Sequence, residues 1–159
     1  MAVLIRGRLG AVVFLGLASG CPTVPLRPDG SPADERCPEG AREAITSFEL
    51  VPGSSTTVFV DVTRKVSGPL IVYDGPVESE TWGPMEELPG GTRLQGRIWT
   101  SGPRVVIRYY SATLPDGRHT PFCAVAAENG PGLPKTPGRP GSAALEQSFV
   151  EIFVTGQFK

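Results

Sequence analysis

Arg93, Gln95, Arg97 and Trp99 recur at alternate positions, and Arg104, Val106, Arg108 and Tyr110 do the same a few residues later. A period of two places each set on one face of a β-strand. With Ser101-Gly102 as a two-residue connection, Trp99 would face Arg104, Arg97 would face Val106, Gln95 would face Arg108 and Arg93 would face Tyr110. Four guanidinium forks would then lie beside two aromatic rings. That is chemistry for anions: a fork donates two parallel hydrogen bonds to a phosphate or carboxylate, and an aromatic face stacks on a sugar. The same residues also make an ordinary solvated sheet face whose arginines offset nearby acids. A one-residue change in the connection would scatter the set across both faces.

Other chemistry finds less support. His119 is the one histidine, and Cys123, four residues on along a strand, lies ~13 Å away, too far for proton transfer. Asp116, in Pro115-Asp116-Gly117, is used by a turn. There is no Gly-x-Ser-x-Gly elbow, phosphate-binding glycine loop or kinase motif. Two cysteines and one histidine fall short of a structural zinc site. Glu78, Glu80, Glu86 and Glu87 could offer oxygens to calcium, but without Asp-x-Asp-x-Asp-Gly spacing they read as a solvated acidic loop. No cofactor is expected. An enzymatic alternative would pair Asp61 or Asp74 with one of these glutamates, which requires two carboxyl groups about 5–10 Å apart in a groove.

The elements that must position these residues are mostly strands. Val58, Val60 and Val62 alternate with Phe59, Asp61 and Thr63; Val66–Asp74 centres on Leu-Ile-Val-Tyr; Thr92–Thr100 and Arg104–Leu114 follow. Pro115-Asp116-Gly117 joins Arg104–Leu114 to Arg118–Ala127 as a hairpin. In Leu145–Phe158, Val150, Ile152 and Val154 share one face and Phe149 and Phe153 the other, as in a central strand that inserts between earlier ones. Glu39–Ile45 has apolar residues at helical spacing. Residues 75–91 read as a long acidic loop, and residues 128–143, with four glycines and four prolines, as a disordered loop. The expected fold is all-β, a small antiparallel sandwich or barrel with a short N-terminal helix, in one domain over residues 37–159.

The first twenty residues are of a different kind. Arg6 and Arg8 precede an uncharged apolar run from Leu9 to Leu17 that is too short to span a bilayer, so this stretch reads as an export signal. The segment Leu17-Ala18-Ser19-Gly20-Cys21 resembles the lipobox of bacterial lipoproteins, departing at Ala18 where leucine is usual. The resemblance implies lipid on Cys21, cleavage before it and membrane attachment through the acyl chains; failure of lipidation would give a secreted soluble domain. Pro22 in place of the aspartate that retains such proteins at the inner membrane implies the outer membrane. Pro22, Pro25, Pro28 and Pro32 then make residues 21–36 a tether.

Export bears on partners and on the two remaining cysteines. Removal of Arg6 and Arg8 leaves 13 of the 15 basic residues against all 16 acidic ones, a balance that does not suit nucleic acid. The candidate ligands of the arginine face are lipid phosphates, anionic glycan or an acidic patch on an envelope protein. In an oxidising compartment Cys37 and Cys123 can pair; the alternative is two free thiols, one of them buried in a strand.

Three segments, Glu87–Arg97, Leu114-Pro115-Asp116-Gly117 and Pro121-Phe122-Cys123, are together similar to a group of uncharacterised predicted lipoproteins of the myxobacterial type, over residues 37–158. The resemblance implies an exported β domain and supplies no catalytic residues. The expected function is a lipid-anchored, non-catalytic binding or structural module of the envelope. The alternatives are the carboxylate enzyme acting on envelope polymers and an accessory subunit of an envelope complex.

Overall fold

Six of the alternating segments close on themselves. In the computed structural model, which describes residues 24–159, the strands β2 (Ser55–Phe59), β4 (Gly75–Thr81), β5 (Arg93–Trp99), β6 (Val106–Thr113), β7 (His119–Ala126) and β10 (Phe149–Val154) form an antiparallel barrel in the order β10-β2-β4-β5-β6-β7, with β7 returning to β10. A closed barrel leaves no ladder edge unpaired. The expected insertion of the last long strand is what completes it: Phe149–Phe153 pairs with Phe59–Ser55 on one side and Ile152–Val154 with Ala126–Ala124 on the other.

The interior follows the alternation. Val58, Leu94, Ile107, Phe122, Ala124, Ile152 and Val154 are buried, and burial of each larger aliphatic or aromatic side chain stabilises the fold by roughly 1.5–3 kcal/mol. The single helix, α1 (Ala41–Ser47), buries Ala41 and Ile45 and packs against β7. Just before it, Cys37 forms a disulfide with Cys123 of β7, the two Cα atoms 5.5 Å apart. A second sheet, β3 (Leu70–Tyr73), β9 (Ser142–Leu145) and β8 (Thr136–Pro137), turns Leu70, Val72, Ala143 and Leu145 inward. Leu114, Arg118 and Gly117 close the expected Pro-Asp-Gly turn: the Gly117 amide donates to the Leu114 carbonyl and the Leu114 amide to that of Arg118. Among the described residues no helix is long and apolar enough to cross a membrane.

Four expectations need correction. Residues 75–81, read as part of an acidic loop, are β4, a barrel strand. Its two fully buried positions are polar, with only Val77 apolar on that face, but Ser79 donates to the Val60 carbonyl and shares a 2.7 Å hydrogen bond with Tyr109, while Thr81 accepts from the Thr92 amide. Buried polar groups with partners cost little, so strand β4 carries no apolar signature. Residues 128–143 are ordered rather than disordered: Val105 and Leu133 exchange backbone hydrogen bonds, Leu133 is buried, and β8 and β9 lie at the end of the segment.

The third correction concerns register. Trp99 faces Val106 and Arg97 faces Arg108, two residues off the expected pairing, because Thr100–Val105 replaces the two-residue connection. Asp74 holds that wider loop by accepting hydrogen bonds from the Thr100 amide and hydroxyl. A slip of two preserves each residue's face. A bulge follows between Gln95 and Gly96, and Gly96 is required there, since a Cβ would lie 2.1 Å from the Arg108 carbonyl oxygen.

The fourth is the tether. Residues 24–36 fold back onto the barrel instead of extending from it. Arg27 donates its amide to the Ser31 carbonyl and Ala33 to that of Pro25, closing a short hairpin whose Pro32 is buried. Beyond it β1 (Glu35–Arg36) pairs with β11 (Gln157–Phe158). The folded unit therefore includes residues 24–36, not only those from 37 onward. The expected signal segment 1–20 and Cys21 lie outside the described residues.

Candidate functional site

Strands β5 and β6 do bring Arg97, Trp99, Arg108 and Tyr110 together on the outer wall of the barrel. Trp99 lies between two guanidiniums, with Arg97 5.7 Å and Arg108 5.5 Å from its ring centre. The other two arginines lie elsewhere. Arg93 turns to β4 and forms an ion pair with Glu78 at 3.2 Å. Arg104 sits in the loop, where it donates to the carbonyls of Glu128 and Gly132.

The core of this arginine–aromatic cluster is already occupied by the chain itself. Arg108 is 0% exposed. It donates to the carbonyls of Ala33 at 2.9 Å and Lys159 at 3.2 Å, approaches the Glu35 carboxylate at 3.5 Å, and stacks on Phe158 with 5.2 Å to the ring centre. Tyr110 donates its hydroxyl to Glu35 at 2.9 Å and meets the edge of Phe158. The anion that Arg108 and Tyr110 meet is the chain's own Glu35 carboxylate. Arg97 is the one member of the cluster left exposed.

Burial lowers the pKa of Arg108, opposed by the neighbouring Tyr110 and Glu35. Burial also raises the phenol pKa of Tyr110 well above its usual value, and the Glu35 carboxylate adds to that rise. A folded-state value above the unfolded one means that Tyr110's contribution is fully present below about pH 10 and is lost as pH climbs further. Tyr109, buried inside the barrel, shifts the same way. Tyr110→Phe is therefore expected to show a shallower fall in Tm above pH 10 than the wild type; equal alkaline slopes in pH-dependent melts would refute this.

Of the carboxylates considered for catalysis, Asp61, Asp74, Glu78 and Glu80 are engaged in hydrogen bonds. Asp61, Asp74 and Glu78 border one shallow depression of about 190 Å³. Burial pushes the Asp61 carboxyl up, but hydrogen bonds from Thr63 and Arg64 outweigh it and hold the group below the usual range. Asp74 accepts from Thr100, and Glu78 from Arg93 and Gln95. His119, exposed at the start of β7, touches Thr113. Among the described residues no three His, Cys, Asp or Glu side chains converge as a metal site. A depression of about 400 Å³ between α1 and the end of β10 is largely apolar, its lining including Ile45, Leu50, Val51 and Val154 with Arg42.

The outer face of β2 and β10 is different. Phe59 and Phe149 lie directly opposite each other. Trp82, tied through its amide to the Thr57 carbonyl, stacks on Phe59 at 5.2 Å with an interplanar angle of 14° and meets Phe149 edge-on at 6.4 Å. Its indole is 65% exposed. Two adjoining depressions, about 640 and 610 Å³, share Thr57 and Phe149 and run from Trp82 to Phe153. Their lining contains the carboxylates Glu128 and Glu151 and no lysine or arginine. Trp82 stands in the bend that follows β4 and, with Phe59 and Phe149, makes a contiguous aromatic patch, the kind of surface that serves recognition.

No protein-family model matches the chain and no curated protein does. The sequence did carry a partial signal for this face, since Phe59, Phe149 and Phe153 all fall on strand positions opposite the buried valines and isoleucine. Trp82 gave none, because the strand before it reads as a loop.

Proposed function

We propose that the protein is a lipid-anchored, non-catalytic binding module of the cell envelope, held to the outer membrane through lipid on Cys21 and recognising its ligand with the outer face of β2 and β10. The observation that carries the recognition half is the stack of Trp82 on Phe59 beside Phe149, an exposed platform fixed to two paired barrel strands. Phe59 and Phe149 belong to strands, which hold their geometry better than loops, and they fix the Trp82 indole in the bend that follows β4. The arginine face is a poorer candidate, because its central guanidinium is spent on Glu35 and backbone carbonyls.

The docked N-terminal segment supports a short leash. Pro25, whose carbonyl accepts from the Ala33 amide in the docked hairpin, lies four residues from Cys21, a span of at most about 14 Å. A lipid on Cys21 would hold the barrel against the bilayer surface rather than on a long spacer.

The test uses the full chain purified from membranes in detergent and sedimented with isolated envelope fragments. Wild type and Arg97→Ala are expected to co-sediment, whereas Trp82→Ala and Phe149→Ala lose most of the bound fraction. Equal sedimentation of all four would rule out the aromatic face. Palmitate labelling in cells, lost in Cys21→Ser, tests the anchor separately; label retained in that variant would refute it.

A further inference from the structure

The aromatic face has a charge and a polar pattern as well as a shape. Resting on the reading that β2 and β10 carry the recognition surface, we infer that its ligand is a pyranose glycan chain, uncharged or bearing amino groups, and not an anionic polymer. One face of the Trp82 indole is covered by Phe59 and Phe149 meets the ring edge-on, so the remaining face is held as a flat platform. A pyranose ring presents axial C–H groups, weakly positive, to the negative π face of an aromatic. Phe153 lies four residues beyond Phe149 on the same side of β10, ~13 Å along the strand, and supplies a second apolar contact on the path of an extended chain.

Hydrogen-bonding groups lie between the two contacts. Glu151 stands between Phe149 and Phe153, opposite Thr57, and accepts a 2.7 Å hydrogen bond from Ser55. A carboxylate and adjacent hydroxyls suit sugar hydroxyls, which donate and accept in turn. Charge decides among ligands. With Glu128 and Glu151 in the lining and no cation there, the groove repels phosphates and uronic acids and favours ammonium groups. A second copy docked through the same face would set these carboxylates against their own equivalents.

The full-length protein in detergent micelles is titrated by calorimetry with three hexasaccharides: N-acetylglucosamine, glucosamine and galacturonic acid. The two hexosamine oligomers are expected to bind, the glucosamine one tighter by about threefold at low salt, and that margin is lost in Glu151→Gln. Galacturonate is expected to bind at least about tenfold more weakly. Trp82→Ala should lose about tenfold or more in affinity, whereas Trp82→Tyr, which keeps a stacking ring, retains binding and separates loss of the platform from loss of the fold. The inference is overturned if neither hexosamine oligomer binds, if galacturonate is preferred, if Trp82→Ala binds as wild type, or if the face mediates a dimer that Trp82→Ala dissolves. Trp82-dependent sedimentation with envelope fragments, together with failure of both hexosamine oligomers, would leave the recognition face standing and remove only the glycan.

Discussion

Arg108→Ala is expected to destabilise the protein by about 3–5 kcal/mol and to release residues 24–36 from the barrel. The size follows from what the guanidinium holds. It is fully buried, and its removal withdraws donors from the carbonyls of Ala33 and Lys159 and leaves the Glu35 carboxylate with Tyr110 alone. Truncating a large buried side chain opens a cavity and leaves buried carbonyls without donors, which together cost about that much; Glu35, with 31% of its side chain exposed, adds less than a fully buried partner would. Trp99 and Phe158 also lose the cation stacked on them. Chemical denaturation gives the stability. Hydrogen exchange gives the location: amides of Ala33 and Arg27, protected by the 25–33 hairpin, and those of the β1–β11 pair should exchange faster than barrel amides. Glu35→Gln keeps a hydrogen-bond acceptor for Tyr110 and should cost less. An Arg108→Ala protein with wild-type protection over residues 25–36 would mean that the segment is held by something other than this cluster.

Removing the disulfide is expected to cost a similar amount by a different route. The link joins residues 86 apart, and closing a loop of that length lowers the entropy of the unfolded chain by about 4–5 kcal/mol at 25 °C. It also fixes the point where the docked segment turns into α1, whose Ala41 and Ile45 cover the barrel beside β7. The double variant Cys37→Ala/Cys123→Ala should therefore unfold at much lower denaturant, with an increased m-value as the unfolded chain expands. Reduction of the wild type should reproduce the shift. Equal midpoints for the oxidised wild type and the double variant would show that the link contributes little.

What could be read in the sequence depended on where each residue's partners lie. The β6–β7 hairpin was legible because its turn residues are adjacent in the chain and Pro115, Asp116 and Gly117 each have a local conformational role. The closing strand β10 was legible because Ile152 and Val154 alternate with Phe149 and Phe153. Strand β4 was not, since its inward Ser79 and Thr81 find their partners on β2, β6 and the start of β5. Local polarity cannot reveal a partner that distant. The arginine cluster shows the same division. Periodicity placed Arg97, Trp99 and Arg108 on one face and even survived a two-residue error in register. Their occupant, Glu35, comes from a proline-rich stretch that resembles a spacer by composition alone. The platform of Trp82, Phe59 and Phe149 is assembled from β2, β10 and the residue following β4, so it existed only once the barrel closed.

Two faces of one barrel therefore divide the chemistry. The β5–β6 face uses Arg108 to secure the chain's own N-terminal segment, and the β2–β10 face holds Trp82 exposed over half-buried phenylalanines. The most direct test is site-specific photo-crosslinking in living cells with the full-length protein, comparing a photoreactive phenylalanine analogue at position 82 with one at position 97. Crosslinks to an envelope component from position 82, and none above background from position 97, are the expected result. Crosslinks from position 97 with none from position 82 would contradict it and return recognition to the arginine face.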